Sequence, residues 1–163
     1  QIKTLEAQQG TAVAAGQQPQ VAQLSRVRGV GLGGAWILVQ ELFGWRRFHN
    51  RRQVAGCIGL APTPYSSGDS QTEQGIAKAG NKRARWIMVE LGWSWLRYQP
   101  ESDLSQWFNQ RFAHGGKRMR RIGIVALARR LAIALWRYLE HGVIPAGATL
   151  KPIPPVRLEP VMP

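Results

Sequence analysis

The chain has 163 residues, with 22 Lys and Arg against nine Asp and Glu, a formal net charge of +13. That excess points to a polyanionic partner, nucleic acid before a membrane surface. The length suits one domain with a real core, to which seven tryptophans add apolar area, and no apolar run approaches the roughly 20 residues that span a bilayer.

Residues 1–20 are rich in Gln and Ala, with Gly10, Gly16 and Pro19 interrupting them. They read as a linker or the end of an upstream helix. The chain opens at Gln1 in mid-pattern without methionine or a signal-peptide pattern, as a piece of a longer protein would. From Val21, the run LSRVRGVGLGGAWIL predicts a short helix, a glycine turn and a second apolar helix. Asn50 is the expected cap of a short helix over residues 51–58, ended by Gly59 and Pro62. Cys57 has no internal partner and reads as a small core residue in a reducing cytoplasm.

A long polar loop follows, with room for a short β-hairpin around Tyr65 to Ile76. Asn81 caps a predicted helix in which Trp86, Val89, Trp93 and Leu96 recur at steps of three and four, and Pro100 ends it. Ser102 opens the next helix. The last helix carries Ile124, Leu127, Leu131, Leu135 and Tyr138 on one stripe, with Gly142 just past its end. Residues 143–163 are proline-rich and expected as an extended tail. The fold class is therefore mainly α: a helix-hairpin-helix, a long polar loop and a three-helix C-terminal part, with residues 21–142 as the domain.

Three features carry chemistry. In the hairpin, Arg28, Gly29, Val30 and Gly31 would let backbone approach DNA closely and offer amides to a phosphate without reading sequence. The loop joins Ser66 and Ser67 to Lys78, Asn81, Lys82, Arg83 and Arg85, hydroxyls beside cations as phosphate chemistry requires. A second basic run, Lys117, Arg118, Arg120 and Arg121, heads the last helix. Between Lys78 and Arg130 the acids are Glu90, Glu101 and Asp103, so most of these cations lack a local carboxylate. Scattered acids give no metal cluster. On spacing most of the tryptophans belong to the core, although some could stack on bases.

Taken together and in order, VRGVG with its apolar helix, FHNRRQVAGCIGLAPTPYSSG, GIAKAGNKRAR and GGKRMRRIGIVALARRLAIALWRYLEHGVIP resemble a known family from about Leu24 to Gly142. It is the C-terminal transposase domain of insertion-sequence recombinases that also carry an N-terminal RuvC-like DEDD nuclease domain, a group that includes Piv-type invertases. The forms FGWRRF, PTPYSSGDS and HGGKR resemble its branch with subterminal inverted repeats. The resemblance implies that Ser67, just before the loop glycine, is the nucleophile. It would form a transient phosphoserine link to DNA that a strand hydroxyl later resolves. It implies no cofactor in this chain, Mg²⁺ in the RuvC-like domain, and DNA and an element-encoded guide RNA as partners. It further implies a homo-oligomer, no membrane, and a bacterial cytoplasm with nucleoid association. Asp69 and Glu73 depart from many relatives by placing negative charge near Ser67. The competing expectations are a non-catalytic helix-hairpin-helix module and a basic structural protein on RNA.

Overall fold

A computed structural model describes residues 2–14, 16–44, 46–60 and 80–152. Seven α-helices follow one another in them: α1 (Ile2–Ala14), α2 (Pro19–Ser25), α3 (Leu32–Leu38), α4 (Arg51–Cys57), α5 (Lys82–Tyr98), α6 (Asp103–Phe112) and α7 (Gly116–His141). Helix α3 runs on into a π-turn, Val39–Phe43. The fold is mainly α, and among the described residues β pairing is confined to an antiparallel bridge between Val27 and Leu150. The stretch expected as a β-hairpin lies outside the described residues.

The helix starts follow from local chemistry. Asn50 Oδ1 accepts from the Gln53 N–H at 3.0 Å, and Gln53 Oε1 accepts from the His49 N–H at 2.8 Å, close to a capping box. Asn81 Oδ1 accepts from the Arg83 and Ala84 N–H groups, both at 3.0 Å. Ser102 Oγ accepts from the Ser105 N–H at 3.2 Å. At the far end of α7, Gly142 turns left-handed at φ 69° and its N–H reaches the Tyr138 carbonyl at 3.0 Å. Where a linker or helix end was expected, α1 is helical straight through Gly10, and α2 begins at Pro19. The missing Cβ of Gly10 faces α3, where it would lie 3.9 Å from Leu32 Cδ2.

The core forms where α5 and α7 pack together. The stripe read along α7 is buried throughout: Ile124, Leu127, Leu131, Leu135 and Tyr138. On α5 the buried positions are Ala84, Ile87, Met88, Leu91, Gly92 and Trp95, which corrects the expected stripe. Trp86 and Trp93 are 56% and 37% exposed. Both stripes have helical spacing, and tryptophan size weights the sequence pattern towards the wrong one. Two glycines set the close approaches. A Cβ on Gly92 would stand 3.1 Å from Ile124 Cδ1, and one on Gly123 would strike Phe112 and Phe108. A smaller cluster of Phe108, Ile124 and Leu127 joins α6 to α7. Truncating fully buried leucines such as Leu131 or Leu135 costs roughly 2–5 kcal/mol each.

Residues 143–152 do not trail away. Pro145 is buried, the Ala146 carbonyl accepts from the Asp103 N–H at 3.0 Å, and the chain returns to the α2–α3 hairpin.

Candidate nucleic-acid interface

The α2–α3 turn is held from three directions. Gly29 adopts φ 95°, a backbone conformation that side-chain-bearing residues rarely occupy. The Arg28 carbonyl accepts from Gln99 Nε2 at 2.7 Å, the Gly29 carbonyl from Ser94 Oγ at 2.7 Å, and the Val30 carbonyl from Lys151 Nζ at 2.9 Å. The returning C-terminal segment clamps the near side: the Arg28 N–H donates to the Thr149 carbonyl at 3.2 Å and the Lys151 N–H to the Arg26 carbonyl at 2.7 Å. Gln99 is only 3% exposed, and its amide is fully used. Besides Arg28, its Nε2 reaches the Thr149 carbonyl, and its Oε1 accepts from the Thr149 N–H and Oγ1. Burial lowers the pKa of Lys151, whose ammonium is partly withdrawn from water to reach the turn.

With its carbonyls turned inward, the hairpin leaves its other side open. Gly31 N-caps α3 without a side-chain bond. Gly31 and Gly33 are exposed, and a Cβ on either would meet nothing within 4 Å. The first amides of a helix have no partner inside it, so this bare backbone can meet an acceptor oxygen. Arg28 is exposed beside it, whereas the Val30 side chain is buried and contributes only backbone.

Three clusters of cations lie at helix starts. Arg51 and Arg52 open α4, Lys82, Arg83 and Arg85 open α5, and Lys117, Arg118, Arg120 and Arg121 open α7, with no acid in any of these first turns. Each places at least two cations in the first turn, at the positive end of a helix dipole, where they cost a few tenths of a kcal/mol per charge when nothing anionic is near; Arg120 and Arg121 lie one turn further along α7. Helix α6 has the opposite pattern, with Asp103 in its first turn and Arg111 in its last. One exposed ion pair, Arg83 with Glu41 at 3.9 Å, offsets the α5 cluster in part.

Asn81 is already employed. Its Oδ1 caps α5, and its Nδ2 donates to the Glu41 carbonyl at 3.3 Å and to Glu41 Oε2 at 2.9 Å, tying α5 to the π-turn. Ser67 and Lys78 lie outside the described residues. The flanks of their segment meet at the end of α4, where the Leu60 N–H donates to the Ala55 carbonyl at 2.9 Å and the Asn81 N–H to the Cys57 carbonyl at 2.8 Å. Gly80, at φ 114°, makes this closure possible, since a Cβ there would collide with the Cys57 carbonyl. The segment bearing Ser67 thus re-enters the described fold directly beside Lys82 and Arg83.

Sequence reasoning missed Ser94, Gln99, Thr149 and Lys151, which shape the hairpin, and the arginines in the second half of α7. A lone Gln before Pro100 carries no local signal. Arg130 and Arg137, one heptad apart, did carry one.

Among the described residues no helix is long and apolar enough to cross a membrane. The model of the Transposase IS116/IS110/IS902 family matches residues 21–106, which include the hairpin, the flanks of the Ser67 segment and all of α5. Over 162 residues the chain is 42% identical to a Sinorhizobium fredii protein named "Putative transposase y4rJ", covering 93% of this chain and 41% of that one. It is 27% identical over 125 residues to the transposase for insertion sequence element IS1328 of Yersinia enterocolitica, covering 75% and 36%. With the transposase for insertion sequence element IS1111A of Coxiella burnetii, identity is 29% over 121 residues, covering 73% and 32%. The chain therefore spans about two fifths or less of the length of these relatives, and it belongs to the Transposase IS116/IS110/IS902 family.

Proposed function

We propose that this chain is the DNA-binding and strand-transfer part of a transposase. It grips the phosphate backbone at the open side of the hairpin and at the starts of α4, α5 and α7, and it supplies Ser67 as the nucleophile. The observation that carries this reading is the set of three helix starts whose cations oppose their own dipoles. A bound polyanion would turn that unfavourable arrangement into a favourable one. The flanks of the Ser67 segment meet at one of those starts, so a backbone held by Lys82 and Arg83 passes the root of that segment.

In the proposed step the Ser67 hydroxyl loses its proton and its oxygen attacks a DNA phosphorus. A serine–phosphate bond forms, one strand oxygen departs as a hydroxyl, and a strand hydroxyl later reverses the exchange. The resemblance implies Mg²⁺ in the RuvC-like domain, outside this chain. Removal of the serine proton is accordingly assigned to the rest of the transposase, as are pairing with a guide RNA and assembly of protomers.

The test is to express the chain within its whole transposase and incubate it with element-end DNA and Mg²⁺. A protein–DNA adduct is expected that disappears in Ser67→Ala and persists in Ser66→Ala. An adduct indifferent to Ser67→Ala would reduce the domain to a binding module.

A further inference from the structure

The C-terminal half of α7 carries a separate group of cations. Arg130, Ile133, Ala134, Arg137 and His141 recur at steps of three and four, so they form one stripe. At 1.5 Å per residue its arginines stand about 15–25 Å along the axis from Arg120. The stripe lines two adjoining cavities of about 480 and 390 Å³ that share Arg51, Arg137 and Val143, volumes in the range of small-ligand sites.

Charge in the larger cavity is one-sided. Arg51, Arg129, Arg130 and Arg137 line it against a single carboxylate, Asp103, and among the described residues none of these guanidiniums forms an ion pair. Arg130 sits over the Trp107 ring, 4.0 Å from its centroid. Burial, then repulsion from Arg111 and Arg129, lowers its pKa, although a guanidinium remains charged near neutrality. Two donors are unspent. Arg129 Nε and Trp136 Nε1, like Trp107 Nε1 outside the two linings, are buried with no hydrogen-bond partner among the described residues, and Arg129 lines the larger cavity and Trp136, 8% exposed, the smaller. Buried N–H groups are ordinarily paired, so these two mark places for acceptor oxygens.

The rest of the lining is apolar. Leu104, Ile133, Val143 and Ile144 contribute to it, and Val143 and Ile144 are 55% and 45% exposed. A duplex presents mainly sugar and phosphate to such a wall and keeps its bases stacked away from it. An unpaired nucleotide brings an anion and an apolar base face to the same place.

We propose that the joined cavities bind an unpaired nucleotide of a nucleic-acid strand, its phosphate on Arg129, Arg130 and Arg137 and its base against Ile133, Val143 and Ile144. This rests on the nucleic-acid reading above, yet the two fail differently. The experiment measures fluorescence anisotropy of this chain across a salt series. The probes are a dT strand, a U strand and a DNA duplex, each of about 12 nucleotides or base pairs. Wild type is compared with Arg130→Gln/Arg137→Gln and with Lys82→Gln/Arg83→Gln.

The first variant is expected to bind single strands about tenfold more weakly, with a log–log salt slope shallower by about 1.4 and duplex binding changed by less than about threefold. A loss confined to dT or to U supports the site and names the strand. The second variant is expected to weaken duplex binding. Equal loss on duplex and single strands, or no loss on any probe, overturns the proposal while leaving the duplex-binding reading intact. Absence of binding by the wild type overturns both. If circular dichroism shows the double variant unfolded, Arg137→Gln, at an exposed position, replaces it, with about half the slope change expected.

Discussion

The hairpin turn and the three basic helix starts are both proposed to meet nucleic acid, but they are built on opposite principles. At the turn, three successive carbonyls are each answered by a donor from elsewhere in the fold, and Gln99 has no unused hydrogen-bonding group. At the starts of α4, α5 and α7, cations stand against their dipoles, while α6 complements its own. The turn is therefore shaped by the protein itself. The helix starts keep an unfavourable charge arrangement that a partner can relieve. Stability and binding should separate along this line.

The sharpest way to break the comparison is Gln99→Leu. It preserves bulk but strands the Arg28 carbonyl and the Thr149 N–H, and leaves the Thr149 carbonyl only its bond from the Arg28 N–H. Leaving buried groups unpaired should cost about 2–4 kcal/mol, measured by urea unfolding, and loosen the hairpin with it. If Gln99→Leu unfolds at the wild-type midpoint, the turn is not held as described. Lys82→Gln/Arg83→Gln should do the reverse. Stability should stay within about 0.5 kcal/mol of wild type, while the salt slope for duplex DNA falls by about 2. A large stability loss with an unchanged slope would make these side chains structural.

The smallest expected effect concerns Tyr138, whose hydroxyl donates to the Gln23 carbonyl at 2.9 Å and thereby ties α7 to α2. Burial raises its pKa above the ordinary 10.0, and Arg26 opposes the rise. Above about pH 10 the unfolded chain gives up this proton first. Stability contributed by the phenol is thus fully present below that pH and falls as pH climbs towards the raised folded value. Tyr138→Phe should lose about 1 kcal/mol at neutral pH and show a smaller alkaline decline. An identical alkaline slope in both proteins would place the titration elsewhere.

Much of the frame is legible in the sequence because its signals are local. Asn50, Asn81, Ser102 and Gly142 mark helix ends through bonds to backbone within four residues. The α7 stripe is legible because one apolar residue type dominates it. The α5 face is not, since tryptophans at 86 and 93 outweigh the smaller residues that are actually buried. The clamp on the hairpin joins positions 28, 99 and 149, and no local pattern reports a bond across such separations. For the site, residue types, charge excess and basic runs at the predicted starts of α5 and α7 point to phosphate in the sequence, whereas the carbonyl clamp that shapes the turn does not show there. Proline content predicts an extended tail over residues 143–163, and in the part of it that is described, 143–152, bonds to Arg26, Arg28 and Asp103 tie the chain back to the helices.

The closure at Gly80 bears on how this domain can change. Because Asn81 is bonded to the Cys57 carbonyl, segment 61–79 leaves and rejoins the helices at nearly one point. For a loop with fixed ends, doubling or halving its length alters the closure free energy by only about 0.6 kcal/mol. The closure itself therefore sets little limit on the length between its two ends. Leu60 and Gly80 are thus the natural splice points for exchanging what lies between them.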